Sequence, residues 1–274
     1  MNTFLLTGGV TLVSLLVIAG LLHLFPRLGP PGRGVSQWLC AAPGLDLIVG
    51  LLTIAPLIAG TVVDGWAGLA AALLAQITAI IIWSKLHALA TPAARKGPRI
   101  VTVLNEIVGL PRNYTALGIS AMAIPVFWLV RLAEWIVYPP LVFLVRFPKY
   151  RQSDWVRVSR HKFKNLVGHD LIWCLYCDWM TGIWSLGSEM LRNIESFWCP
   201  IRFDSTKKCA NCCVDFPDIN GGWVPPDSSM EDVVAVVKKH YGDDQVARWF
   251  GHPARLTING ESPDASSENA GDTA

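Results

Sequence analysis

The first 145 residues contain apolar runs that are too long to fit the interior of a small soluble domain. Residues 4–25, 44–63 and 66–84 each approach or exceed the length of about 20 residues that a helix needs to cross a bilayer core about 30 Å thick. Backbone amides and carbonyls find no water in that core, so such runs must be helical. Asp64 and Gly65 separate the last two runs and predict a tight turn. The sequence therefore predicts three transmembrane helices.

A further apolar segment, residues 116–145, carries charges at its centre. Arg131 and Glu134 lie in its middle, and Pro139 and Pro140 follow them. A charge at the centre of the bilayer costs from about 2.5 to more than 10 kcal/mol, and prolines disfavour a continuous helix. Two predictions are open for this segment. It is a fourth span, or it is a re-entrant or interfacial segment that bends near the two charges.

The distribution of Lys and Arg favours the re-entrant alternative. Basic residues follow the first span, the third span and the further segment, where seven lie between positions 146 and 164. Positive charge stays on the cytoplasmic side, and three spans with the N-terminus outside place every cluster there. We therefore predict a multi-pass integral membrane module (1–146), a small α-rich, cysteine-rich cytoplasmic domain (147–258) and a disordered tail (259–274).

The composition agrees with this class. Hydrophobic residues make up 52% of the chain and charged residues 16%, against about 25% charged in soluble domains. These values exclude a soluble globular enzyme and a disordered protein. The net charge of +2 gives no indication of nucleic-acid binding. The expected partners are the lipid bilayer and other membrane or redox proteins. For the basic, aromatic stretch 147–164 two alternatives are open: it holds anionic lipid, or it acts only as a topogenic signal.

Residues 170–197 have the periodicity of an amphipathic helix. Large apolar residues lie opposite a stripe of polar or small residues that recur in steps of three and four: Asp170, Cys174, Cys177 with Asp178, Thr181, Ser185, Ser188, Arg192 and Glu195. Cys174 and Cys177 fall on the polar stripe, one turn apart, beside Asp170 and Asp178. Cysteines that served only for packing would belong on the apolar face. The tryptophans of this helix suit either a membrane surface or ordinary core packing.

Six of the seven cysteines fall between positions 174 and 213, and they include two CxxC pairs. Four thiolates complete a tetrahedral Zn²⁺ site or hold an iron–sulfur cluster. A cytoplasmic location disfavours disulfides, whereas an extracytoplasmic one would allow three of them. We expect the remaining cysteine, Cys40, to be inert. The predicted metal ligands are Cys174, Cys177, Cys199, Cys209, Cys212 and Cys213.

Other polar residues are candidates for supporting roles. His169, Asp170 and Asp178 flank the first CxxC pair, and we expect them to cap a helix or to support the ligands. Arg131 and Glu134 are candidates for holding a lipid substrate. The sequence contains none of the nucleotide-binding or hydrolase motifs that would identify a reaction, and catalytic residues are not identified.

Three functions follow from these features. The leading prediction is a membrane-bound iron–sulfur protein or redox subunit that transfers electrons. The alternatives are a membrane scaffold or assembly factor with a structural zinc site, and a membrane enzyme acting on a lipid substrate at the re-entrant segment.

Near the C-terminus, Asn220-Gly221 predicts a turn. Ser228 or Ser229 predicts the start of a helix that ends at Gly242.

Overall fold

The computed structural model describes residues 2–92, 96–163, 165–208, 210 and 222–241. It is about 80% helical, and the described residues form only isolated β-bridges and no strand. In chain order the helices are α1 (Thr3–Leu24), α2 (Gly29–Leu39), α3 (Gly44–Leu52), α4 (Ile54–Ala90), α5 (Ile100–Val108), α6 (Leu110–Ala121), α7 (Ile124–Ile136), α8 (Tyr138–Val145), α9 (Gln152–Trp155), α10 (His169–Trp198) and α11 (Met230–Tyr241).

Three helical stretches of the described chain are long and apolar enough to cross a membrane. They are Thr3–Arg27, Ile54–Ala90 and Leu110–Val145. Their length and composition agree with the predicted class of α-helical membrane protein. The number of crossings, the behaviour of the last stretch and the side on which the C-terminal domain lies stay predictions.

Helix α4 doubles back on itself in the middle. Asp64 and Gly65 leave helical geometry, and Gly65 has a φ of 54°, a conformation that glycine adopts without a steric cost. The backbones of Gly60 and Gly68 come so close that a Cβ atom on either would collide with the other's carbonyl group. A straight helix would hold residues eight positions apart at about 12 Å. The predicted turn at Asp64 and Gly65 is therefore confirmed.

A proline interrupts the helix that precedes this turn, and a glutamine distant in the sequence forms hydrogen bonds to the interrupted backbone. Pro56 has no N–H, so the carbonyl of Leu52 loses its helical donor, and the chain leaves α3 at Thr53 and restarts as α4. The Gln76 side-chain amide donates to the carbonyls of Leu52 (2.9 Å) and Thr53 (2.7 Å). The polar residue of the third apolar run thus satisfies backbone groups that lipid could not.

The chain divides into two compact units. The first comprises Met1–Trp128 and Val156–Gly182. The second comprises Leu129–Trp155 and the described residues from Ile183 onward. This grouping follows contacts within the protein, so the predicted boundary at residue 146 between a membrane module and a cytoplasmic domain stays a prediction about topology.

Within the first unit, α10 is tied to several earlier helices. The carboxylate of Asp46 on α3 is buried and accepts a hydrogen bond from the Trp179 indole (3.2 Å). Gly168, immediately before α10, donates its N–H to Nδ1 of His87 (3.1 Å). Residues 40 and 42 exchange backbone hydrogen bonds with residues 156 and 158. The first half of α10 is therefore tied to α3, and the segment that leads into it is tied to α4 and the α2–α3 loop.

Within the second unit, the second half of α10 packs through polar side chains. Asn193 is fully buried and donates to the hydroxyl groups of Tyr138 (2.9 Å) and Tyr150 (2.6 Å). The hydroxyl of Tyr138 in turn donates to the carbonyl of Pro148 (3.1 Å). These bonds hold α8, the following loop and α10 together.

Helix α11 begins as the sequence predicts. Ser229 and Asp232 form reciprocal hydrogen bonds: the Ser229 N–H donates to the Asp232 carboxylate (2.9 Å), and the Asp232 N–H donates to the Ser229 hydroxyl (3.4 Å). Such a capping box satisfies amides at the start of a helix. The predicted turn at Asn220-Gly221, the helix end at Gly242 and the disordered tail 259–274 lie outside the described residues.

Candidate functional site

The first half of α10 presents two thiols to a cavity in the first unit. Cys174 and Cys177 lie one turn apart, both are partly exposed, and both are free. The cavity has a volume of about 110 Å³, below the range of about 300–1,000 Å³ that is usual for small-molecule sites. His169, Asp170 and Trp173 line the same wall of α10, and the opposite wall is formed by Ile100, Val101, Leu104, Asn113 and Leu117.

Asp170 holds the opposite wall of the cavity in place. Its two carboxylate oxygens accept hydrogen bonds from the backbone N–H groups of Ile100 (3.0 Å) and Val101 (3.1 Å) at the start of α5. These amides have no partner within their own helix, and a negative charge there is also favoured by the helix dipole. Asp170 therefore acts as a cap for α5 supplied from α10.

Asp178 fixes the loop that precedes α10. Its carboxylate accepts hydrogen bonds from the N–H groups of Ser159 and Arg160, both at 2.9 Å. The Arg160 guanidinium forms an ion pair with the same carboxylate at 2.8 Å. Both carboxylates that flank the cysteine pair are thus engaged by backbone amides, Asp170 at the cavity wall and Asp178 in the loop before α10.

His169 is a neutral imidazole with a defined tautomer. The Trp173 indole donates to its Nε2 atom (3.0 Å), so the ring proton resides on Nδ1, which lies 3.8 Å from the Asp170 carboxylate. Burial lowers the pKa of His169, and the nearby Asp170 carboxylate only partly opposes that effect. With Nε2 already accepting a bond, His169 would have to rotate before it could bind a metal through that atom.

The Cys174 thiol is protonated at neutral pH. Burial raises its pKa, the neighbouring Cys177 and the two carboxylates raise it further, and Arg160 acts in the opposite direction. Cysteine nucleophiles of oxidoreductases and proteases have lowered pKa values instead. The site therefore does not resemble an activated nucleophile, although a bound metal would displace the proton.

The remaining predicted ligands follow α10. Cys199 is exposed and belongs to the second unit. The chain beyond it is anchored by two backbone hydrogen bonds of 2.8 Å, from Val224 to Pro200 and from Arg202 to Val224. The other predicted ligands, Cys209, Cys212 and Cys213, fall between these anchor points in the sequence and lie outside the described residues. Within the described part of the chain, no group of three or more His, Cys, Asp or Glu side chains is arranged to hold a metal ion.

Arg131 and Glu134 satisfy each other inside the second unit. Both are buried and form an ion pair. Arg131 also donates to the side-chain carbonyl of Gln152 (2.9 Å), to which the Trp135 indole donates as well (3.2 Å). The guanidinium lies 4.9 Å from the centre of the Trp135 ring. The two charges in the middle of the apolar segment are therefore directed into protein.

In the second half of α10, several polar side chains are buried, whereas the polarity of the sequence suggests an exposed face. Arg192 belongs to the predicted polar stripe, yet it is buried, as are Glu189, Asn193 and Ser196. The last three recur in steps of four and three, a spacing that marks them as one face. That signal is present in the sequence. Polarity alone does not tell whether such a face meets water or a polar interior.

Comparison with known proteins adds no assignment: no protein-family model, no curated protein and no solved structure matches this chain. Function is therefore argued from the residues and their geometry.

Proposed function

We propose that this chain is a membrane-anchored metal–thiolate protein in which the two CxxC pairs hold an iron–sulfur cluster for electron transfer. Cys174 and Cys177 supply the first pair of ligands, and Cys209 and Cys212 supply the second. Cys199 and Cys213 are further ligands or substitutes. The observation that carries the proposal is the pair of free thiols, one turn apart on α10, that open together into a cavity.

The chemistry of the donors supports a metal over other uses of these cysteines. Two thiols on one helix face provide half of a tetrahedral sulfur set, and zinc and iron–sulfur sites need four ligands. Asp170 and Asp178 are engaged by backbone amides, and His169 accepts a bond from Trp173. The missing ligands are therefore expected from the later cysteines. A bound cluster would supply reversible one-electron transfer.

The surroundings of the thiols suit such a group. Ile100, Val101, Leu104 and Leu117 face them across the cavity, and apolar surroundings control solvent access and reduction potential. The three apolar stretches would anchor the site to a membrane. The expected partners are the bilayer and a membrane or redox protein that exchanges electrons with the cluster.

The proposal is tested by anaerobic purification followed by analysis of iron, sulfide and zinc. Visible and EPR spectra are recorded before and after dithionite. We expect iron and sulfide, with visible absorption that bleaches on reduction. Cys174→Ser, Cys177→Ser and Cys212→Ser should lose most of the iron, whereas Cys40→Ser, a control at a cysteine away from the cavity, should keep it. A metal-free protein with all seven thiols titratable would contradict the proposal.

A structural zinc site is the second candidate. The observation in its favour is that Asp170 and Asp178, the two carboxylates beside the cysteine pair, both fix backbone segments. The surroundings of the pair are thus organised for rigidity. Stoichiometric zinc in a colourless protein would replace electron transfer with a scaffold or assembly function. The lipid-enzyme hypothesis gains no such support, because Arg131 and Glu134 are buried against each other.

A further inference from the structure

The second unit forms a hairpin whose tip is exposed and apolar. Helix α8 ends at Val145, and Arg146 then adopts a left-handed conformation with a φ of 56°. The chain returns beside α8, since the Tyr138 hydroxyl donates to the Pro148 carbonyl at 3.1 Å. At the tip, Phe143 is 85% exposed and Leu144 is 71% exposed. Two large apolar side chains therefore project from the point where the last apolar stretch ends.

The C-terminal end of α10 lies beside this tip. Phe147 is buried, and its ring centre lies 5.5 Å from that of Phe197 and 5.8 Å from that of Trp198. Trp198 is nevertheless 56% exposed, and Leu191, two turns earlier on the same face of α10, is 62% exposed. Phe147 thus connects the hairpin tip to an exposed apolar stripe of α10.

Exposed positive charges accompany these apolar side chains. Arg146 follows the tip directly, and Lys149 lies on the returning segment. Tryptophan prefers the interface between hydrocarbon and water, and basic residues at that depth attract anionic headgroups. Whether residues 110–145 cross the bilayer or turn back within it, their apolar part ends at this hairpin.

We propose that Phe143, Leu144, Leu191 and Trp198, together with Arg146 and Lys149, form a surface that rests on the anionic lipid leaflet. Its apolar side chains enter the headgroup boundary, and its two cations contact lipid phosphates. The inference rests on the proposed membrane location and is independent of any metal. Its function is to hold the end of α10 at the lipid surface.

Site-specific photocrosslinking tests this surface. The full chain is reconstituted in nanodiscs that contain phosphatidylcholine and phosphatidylglycerol, with Phe143, Trp198 or Trp223 replaced by p-benzoylphenylalanine in separate variants. Trp223 is the matched control, because it belongs to the same unit but is buried. The crosslinked products are identified by mass spectrometry. We expect lipid adducts at positions 143 and 198 and none at position 223.

A charge variant tests the preference for anionic lipid. In Arg146→Gln/Lys149→Gln, the enrichment of phosphatidylglycerol over phosphatidylcholine among adducts at position 198 should fall by about fivefold per removed charge. Lipid adducts at position 143 with none at position 198 would overturn the proposal while leaving membrane anchoring intact. Crosslinks from position 198 to a second copy of the chain would also overturn it. Absence of lipid adducts at both positions would contradict the membrane location itself.

Discussion

The hydrogen bonds of Gln76 provide a quantitative test of how the apolar helices are held together. Gln76→Leu keeps a similar side-chain volume but removes the donor to the carbonyls of Leu52 and Thr53. Hydrogen bonds between membrane helices contribute about 0.6 kcal/mol on average and up to about 1.7 kcal/mol each. We therefore expect Gln76→Leu to lower the free energy of unfolding by about 1–3 kcal/mol.

The cause of this loss is tested by restoring the missing backbone donor. In Pro56→Ala, residue 56 regains an N–H that can bond to the Leu52 carbonyl, so one of the two Gln76 bonds becomes dispensable. Gln76→Leu should then cost about half as much in the Pro56→Ala background as in the wild type. The difference between the two costs is the coupling energy of a double-mutant cycle.

Thermal unfolding in detergent, followed by circular dichroism, measures these differences. A change of 1 kcal/mol corresponds to about 2–4 °C in Tm for a chain of 150–250 residues. Thr78→Val is the control, because the Thr78 hydroxyl bonds within its own helix, to the Leu74 carbonyl. If Gln76→Leu lowers the free energy of unfolding equally in both backgrounds, Gln76 does not replace the backbone donor that Pro56 lacks, and the argument is refuted.

Three further predictions concern other polar residues. Arg131→Met should destabilise the protein by about 3–5 kcal/mol because it leaves Glu134 buried without its ion-pair partner, and adding Glu134→Gln should recover part of that loss in thermal unfolding. Asp170→Asn keeps one acceptor oxygen but loses a bond and the charge at the start of α5, so we expect a cost of about 0.5–2 kcal/mol and faster amide hydrogen exchange in α5. Because burial raises its pKa, the Cys174 thiol of metal-free protein should react slowly with iodoacetamide at neutral pH. Its rate should still rise with pH above about 8.5, where the rate of an ordinary thiol levels off, as followed by mass spectrometry. A rate that saturates below that pH would contradict the burial argument.

Local patterns in the sequence predict the helices and several of their ends. The helix predicted over residues 170–197 corresponds to α10, from His169 to Trp198. The turn at Asp64 and Gly65 and the start of α11 after Ser229 are also where the sequence predicts them. These features depend on neighbours within a few residues, through apolar periodicity, glycine conformation and capping, so the sequence contains the whole signal.

The sequence predicts less well which segments lie opposite each other at the candidate site. The periodicity of α10 places Cys174 and Cys177 on one face, and the structure has them open into one cavity. The periodicity does not indicate that α5 and α6 form the other wall of this cavity. Nor does it indicate that Arg192, which shares the predicted polar stripe with the cysteines, is buried. A helical pattern gives the relative direction of side chains, whereas the neighbour on each face depends on how distant segments pack.

The sequence by itself determined that the chain is helical and has stretches long and apolar enough to cross a membrane, because apolar length, helical period and helix breakers are local properties of the chain. Only the tertiary structure decided which partners polar side chains such as Gln76 and Asp170 bond to. Gln76 bonds to carbonyls 23 and 24 residues away, and Asp170 bonds to amides 69 and 70 residues away. A buried polar group must find a partner wherever the fold provides one. That partner depends on packing between distant segments, which no local pattern records.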